Sequence, residues 1–502
     1  MIFFGLFWAL YLSSVTNKIT ERSKYHTLKI ALKKRFGDQM MQPNALGGLP
    51  CAPPLLYFRA MKRLYRLLII LLSSSVLVFA QTPAPQPTIL KAARVLDVKA
   101  GKYLDGQAVL VRAGLIESVG LLADLKAQAP MAAVLDLGAA TLLPGLIDCH
   151  THLLENYDAK LGGDDPNMAL TVSGMSTASR ALLGAKMGKE DVEAGITTVR
   201  DVGNSGWNGD VALRDAIRAG WVEGPRMAVS TRALSAAGGQ FGDLQAAAQA
   251  LVAQEYVVVG NPNAARDAVQ QAFYDGADLI KVIVNTGTRV IAPDTMKAIV
   301  EEAHRVHRKV AAHAIGDDAT RIAAEAGVDS IEHGYTIPDD VLKTMAAKHI
   351  YLVPTDYPTE GYLAVYKSTA GATPERLKQM QDGFAKFAHS NQERLRRAVA
   401  AGVPIAFGSD EYYDTPGFTR GQASLKPFES YALSGMTPLQ IIQAATVNAA
   451  DLIGVAHLGS LEKGKGADVI AVMGDPLKDI TVLEKVQFVM LKGKVVRNDL
   501  SH

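Results

Sequence analysis

Six side chains in this sequence have the types and spacing to do chemistry together. His150 and His152 stand two positions apart near the end of LLPGLIDCHTHL (142–153). Lys281 lies inside the apolar run DLIKVIV (278–284), His313 near the end of KVAAHA (309–314), His333 in SIEHG (330–334) and Asp410 at the end of PIAFGSD (404–410). Imidazole and carboxylate are donors to divalent metals, and a metal bond offsets the cost of burying a polar nitrogen among Leu, Ile and Val. An ammonium inside an apolar run is costly, which inclines Lys281 towards its neutral form. One buried histidine is more often a hydrogen-bonded core residue. Four histidines with a lysine and an aspartate, each where an apolar run meets polar sequence, point to one shared cavity in a chain of eleven histidines.

Strands are the elements that can bring these groups together. Residues two apart in a strand face the same way, so His150 and His152 share a side. Cys149, between them, points to the other side and reads as packing rather than as a ligand. Eight β-rich runs recur: the one ending at His150, then 196–202, 226–230, 278–284, 309–314, 330–334, 350–354 and 404–410. Helix-like stretches such as APDTMKAIVEEAHRVHR (292–308) and DDATRIAAEAG (317–327) separate several of them. Eight such units predict an α/β fold, a (β/α)8 TIM barrel over 143–456, with the polar groups at its C-terminal mouth. The register is weakest across 231–277. Short strands and turns at 87–142 and again at 457–502 predict a small β-sandwich domain formed from both terminal segments. Other polar residues read more plainly. His304 and His307 in EEAHRVHRK belong on a solvated helix face, and Asp201, after Arg200, in a structural salt bridge. GGQFGD (238–243) could touch a substrate, and YYDTPGFTRG (412–421) could form rim or surface loop.

Composition sets the outer limits. The chain has 502 residues, 48% apolar and 20% charged, as ordinary globular proteins do. Nine net positive charges precede residue 81, against a formal +2 overall, so the rest carries −7. The body therefore has no nucleic-acid footprint. From Met61, MKRLYR and LLIILLSSSVLVF followed by Ala80 have the layout of a signal peptide, 61–80, too short to span a bilayer. Cleavage after Ala80 would export the protein to the periplasm or medium, with no stable membrane partner and only Cys149 of its two cysteines. Residues 1–60 read as an extension upstream of the true start. No G-x-S-x-G, Walker or dinucleotide motif is present, so no serine nucleophile or nucleotide cofactor is indicated.

LLPGLIDCHTHL, TTVRDVG, GADLIKV, VAAHA, DSIEHG, AFGSD, ATVNAADLIG and LGSLEKGKGADVIAV together resemble the amidohydrolase superfamily, in its imidazolonepropionase-like branch with Xaa-Pro dipeptidases, across about 87–500. The resemblance implies two divalent ions, zinc foremost, one held by His150, His152 and Asp410 and the other by His313 and His333. It implies that Lys281, carboxylated by CO2, bridges them; a plain lysine paired with Asp410 is the alternative. Imidazolonepropionases resemble single-metal enzymes without that lysine, which argues for a peptidase-like member. The implied reaction is attack of a metal-activated water on a C–N bond of a small peptide or N-acyl amino acid, with Asp410 moving the proton. The same site could serve a lactone, carbamate or phosphoester. A non-catalytic scaffold would be expected to lack ligands, and all six are present. GGQFGD has Gln240 and Phe241 where that branch implies a histidine. Substrate identity and self-association stay open.

Overall fold

The expected leader segments, 1–60 and 61–80, lie outside the residues described by the computed structural model, which are 86–367 and 373–500. Seven short strands come first: β1 (Thr88–Lys91), β2 (Arg94–Asp97), β3 (Lys102–Asp105), β4 (Gln107–Arg112), β5 (Leu115–Leu121), β6 (Ala133–Asp136) and β7 (Thr141–Pro144). The middle of the chain supplies β8 (Leu146–Thr151), β9 (Ile196–Asp201), β10 (Arg226–Val229), β11 (Ala233–Ser235), β12 (Tyr256–Val258) and β13 (Ile280–Ile283). A two-residue pair follows, β14 (Asn285–Thr286) and β15 (Arg289–Val290), then β16 (Val310–Ala314), β17 (Ser330–His333) and β18 (Tyr351–Val353). The last strands are β19 (Val469–Val472), β20 (Phe488–Leu491) and β21 (Lys494–Asn498).

The two ends of the described chain are woven into one sheet, ordered β21-β20-β19-β7-β2-β3. There β7 pairs antiparallel with β19 and parallel with β2. A second sheet runs β5-β4-β1-β6. Val95, Leu142, Val469 and Phe488 from the first sheet share a buried cluster with Leu90, Val109 and Val111 from the second. Alternating apolar positions in short strands produce that shared core, since every second side chain points inward.

The middle strands are parallel and buried on both faces, which is why runs such as VAAHA carry no polar alternation. They form two ladders, β10-β9-β8 and β12-β11-β13-β16-β17-β18, rather than one closed ring. Helices fall between them, as in Pro293–Arg305 before β16, which buries Met296, Ile299, Val300 and Ala303 at helical spacing. Residues 231–277, where the sequence pattern was weakest, hold two strands it did not count, β11 and β12. No helix among the described residues is long and apolar enough to cross a membrane.

The expected eighth strand, 404–410, is extended but is not a ladder strand. The Leu352 N–H donates to Pro404 O at 2.9 Å, the Cys149 N–H to Phe407 O at 2.8 Å and the Asp410 N–H to His150 O at 2.8 Å. The segment thus touches both β18 and β8. Asp148 intercepts other backbone groups, its Oδ1 accepting from the N–H groups of Ser409 and His150 at 3.0 Å each. Gly408 permits the close approach: a Cβ there would lie 2.4 Å from Val353 Cγ1 and 2.7 Å from His150 Cβ.

Candidate active site

Strand exits deliver the polar residues to a cavity of about 460 Å³, and all six residues singled out in the sequence line it. Several exits turn through the left-handed region at non-glycine residues: Asn204 (φ 55°), Thr231 (60°), His333 (65°), Thr355 (56°) and Asp410 (56°). Such backbone costs on the order of 1 kcal/mol or more per residue and persists where packing over-determines it, commonly at functional sites. At His333 the turn has a direct consequence. Strand alternation would send Glu332 and His333 to opposite faces, but the turn lets both serve the same cluster.

His150 and His152 are held as ligand-ready tautomers. His150 Nδ1 lies 2.7 Å from Glu332 Oε2, and His152 Nδ1 3.0 Å from Gly203 O. A carboxylate and a carbonyl only accept, so both Nδ1 atoms carry a proton, and each ring in its neutral form turns an Nε2 lone pair to the opposite side. Those Nε2 atoms face Asp410 Oδ1 at 3.5 and 3.4 Å. Two donors each about 2.1 Å from one tetrahedral ion stand about 3.4 Å apart, so the spacing fits a shared cation. His150, His152 and Asp410 can each turn one ligand atom to within 4.8 Å of the others.

The remaining predicted residues gather beside this trio. The His333 ring is 4.9 Å from that of His150 and 4.7 Å from that of His313. His333 Nδ1 lies 2.8 Å from the Thr355 hydroxyl and 3.7 Å from Asp410 Oδ2. The His313 ring makes no hydrogen bond to a described residue. Lys281 Nζ, buried in β13, is 3.5 Å from His150 Nε2, and no described carboxylate lies within ion-pair distance of it. The simple Lys281–Asp410 ion pair is therefore absent. In register, Ile283 pairs with His313 and Lys281 with Ala311, so the lysine sits one inward-facing step deeper than His313.

Electrostatics favour neutral nitrogen throughout most of the cluster. Burial pushes Lys281 down to about 8, with Arg200 adding to the shift and Glu332 and Asp410 opposing it. Burial and then the Lys281 charge bring His313 down to about 3 and hold His150 far below its ordinary value. His333 is lowered by burial and then by the neighbouring imidazoles. His152 goes the other way: burial lowers it, but the hydrogen bond and charge of Asp410 outweigh burial.

Sequence reasoning missed the groups that hold the cluster in place. Arg200 donates to Glu332 Oε1 at 2.8 Å, completing a buried chain from Arg200 through Glu332 to His150. Asp201, expected in a structural salt bridge, makes none among the described residues and instead accepts from the Leu153 N–H at 2.7 Å and the Ser205 hydroxyl at 3.1 Å. Glu155 was also missed. It lines the cavity, accepts from Tyr157 Oη at 2.9 Å and Asn204 Nδ2 at 3.3 Å, and shares Arg180 with Glu255. Burial pushes it up to about 7. Gln240 from the glycine-rich loop and Tyr412 from the stretch after Asp410 both line the cavity. Cys149 is buried in an apolar cluster with Ile147 and Val353, and His304 pairs with Asp329 at the surface.

Comparison with known proteins gives a consistent picture. Residues 141–496 match the model of the Amidohydrolase family. Ochratoxinase of Aspergillus niger is 31% identical over 439 residues, which is 82% of this chain and 86% of that protein. A Xaa-Pro dipeptidase crystallised with methionine in its active site superposes with a TM-score of 0.68 at 28% identity, covering 82% of this chain and all of that one. A prolidase complexed with N-methylphosphonate-L-proline superposes with a TM-score of 0.69 at 26% identity, with the same coverage. These neighbours imply a TIM-barrel-like α/β fold. The chain belongs to the amidohydrolase family and is a hydrolase of carbon–nitrogen bonds.

Proposed function

We propose that the chain is an exported, metal-dependent peptidase-like hydrolase that cleaves an amide bond of small peptides. Its catalytic body would be a (β/α)8 barrel over 143–456, with a β-sandwich built from 87–142 and 457–502. In this reading His150, His152 and Asp410 hold one divalent ion, His313 and His333 the other, and Lys281 bridges them as its carbamate. The observation that carries the proposal is the pair of Nε2 atoms, each on a ring whose Nδ1 is already committed to an acceptor, facing Asp410 Oδ1 at 3.4 and 3.5 Å. Without a cation or a proton between them, their lone pairs would repel the carboxylate.

Lys281 supports the bridging role. Its amine is buried, its pKa is down to about 8, and no described carboxylate is within ion-pair distance. The neutral amine can add to CO2 with loss of one proton, and the resulting anionic carbamate has oxygen donors where the free ammonium has none.

When bound, the ions would supply Lewis acidity at the carbonyl and acidify water. Asp410, whose side chain is 17% exposed towards the cavity, takes a proton from water and returns it to the leaving nitrogen. His150 is kept in its donor tautomer by Glu332, and His152 by Gly203 O. Asp164 and Asp165 line the same cavity with no arginine among its lining residues. That acidic wall favours the ammonium of a free peptide over the carboxylate of an N-acyl amino acid.

The test is metal content per chain, followed by zinc-loaded turnover on a dipeptide panel and on a lactone and ester panel. Two ions per chain with dipeptide cleavage that a chelator abolishes is the expected result. Cleavage confined to lactones or esters, or full activity without metal, would overturn the proposal.

A further inference from the structure

A second cavity of about 250 Å³ opens beside the first and shares Asp164, Tyr335, Asp410 and Tyr412 with it. Its wall is a continuous arc of aromatic rings whose two ends rest on the histidine cluster. From His333 the rings run through Tyr335, at 5.6 Å, to Phe387, at 4.9 Å, and on to Tyr362, at 5.5 Å. From His152 they run through Tyr412, at 5.9 Å, to Tyr413, at 5.3 Å, and Tyr366, at 6.1 Å. Phe384 joins the two halves, stacked 5.5 Å from Tyr362 and 5.4 Å from Tyr366.

Several phenol groups are engaged by the protein, which leaves carbon surface for the cavity. Tyr413 donates to Asp164 at 2.7 Å, Tyr357 to Glu411 at 3.0 Å, and Tyr362 Oη accepts from the Tyr357 N–H at 3.2 Å. The arc rings are only partly buried, so apolar surface faces empty space next to Asp410. Closing a flat apolar group between such rings removes that surface from water and gains ring-on-ring contact. Size sets the class. A dry cavity of about 150 Å³ accepts benzene, so this one holds a six-membered ring with a substituent, while the larger cavity keeps room for the amide and an ammonium.

We infer that this arc is a specificity subsite for an aromatic group on the substrate, beside the scissile amide. The inference deepens the peptidase reading and rests on it for the reaction, but not for binding. The kinetic test compares kcat/KM of the zinc-loaded full chain on Ala-Phe, Phe-Ala and Ala-Ala. The binding test compares L-phenylalaninol with L-alaninol by calorimetry, since neither has a bond to cleave. At least a tenfold preference for one phenylalanine dipeptide and for phenylalaninol is expected, and Phe384→Ala should reduce both preferences at least fivefold. Cleavage of Ala-Ala with all ratios near one overturns the subsite and leaves the hydrolase reading standing. A tenfold binding preference with no cleavage of any dipeptide does the reverse. Should Phe384→Ala fail to fold, the wild-type ratios alone decide.

Discussion

The Nδ1 proton of His150 ends on Glu332, and Arg200 fixes the other oxygen of that carboxylate. Glu332→Gln keeps the size but turns one oxygen into an NH2, which must then face either the His150 N–H or the Arg200 guanidinium as donor to donor. Metal affinity should fall about 10–100-fold, the range for partners of ligating histidines, read by competition with a chelating dye; unchanged affinity would remove Glu332 from the design. Lys281 makes a second prediction. Fed carbon-13 bicarbonate, the wild-type chain should show a carbamate resonance that Lys281→Ala lacks, and the variant should lose at least about 100-fold in kcat as metal stoichiometry drops. A wild-type chain with two ions and no carbamate signal would refute the bridge. Five of the six principal residues were legible because each is a polar side chain near the end of an apolar run, and Lys281 because it is a charged side chain inside one. Glu332 and Arg200 were not, because a buried ion pair inside strands has no sequence pattern of its own. Only the fold reveals that β9 and β17 bring the two together against β8.

Between elements, the seam of the helices Thr177–Glu193 and Arg420–Ala423 buries charge with little compensation. Arg420 reaches Asp191 only at 3.6 Å, and neither the guanidinium nor that carboxylate makes a side-chain hydrogen bond among the described residues. Burial, aided by the charges of Asp148, Glu190 and Glu411 and opposed by Arg420, pushes Asp191 from 3.8 up to about 7. The folded chain therefore keeps a proton that the unfolded chain releases near pH 4. The stability this adds is complete below about pH 4 and is lost as pH rises through 7. Metal-free wild type should thus lose Tm from pH 5 to pH 8, and Asp191→Asn should lose less, with the gap widening by roughly 2 °C or more in a chain of this size. Parallel melting curves for the two would show Asp191 to be ionised in the fold. The segment 404–410 shows what apolar pattern cannot reveal at this scale. Its composition reads as a strand, yet Asp148 takes the Ser409 N–H and Gly408 packs against β8 and β18, so the ladder expected from pattern gives way to side-chain and close-packing contacts.

Across the whole molecule, the two sheets at the chain ends decide where the polypeptide can begin. β1 is interior to its sheet, paired with β4 on one side and β6 on the other. β2 is likewise interior, between β3 and β7. Removing either leaves two neighbours with unpaired backbone groups and opens the core around Val95, Val109 and Phe488. The short apolar strands and turns of 87–142 and 457–502 made strand-rich terminal segments legible. They could not show that β7 would lie between β19 and β2, because pairing across more than 300 residues is a matter of topology rather than local pattern. A chain started at Gln81, the product expected from cleavage after Ala80, retains every described strand. It should match the full-length protein in Tm, metal content and dipeptide turnover. A chain started at Leu96 loses β1 and half of β2 and should be insoluble or melt at least about 10 °C lower, as loss of several kcal/mol of burial requires. Mass spectrometry of protein exported by a bacterial host should place its N-terminus at Gln81, as glutamine or its pyroglutamate. If the Leu96 start folds and turns over like wild type, β1 and β2 contribute nothing the catalytic body needs; if the Gln81 start fails while full length succeeds, residues before 81 belong to the folded enzyme and the export reading falls.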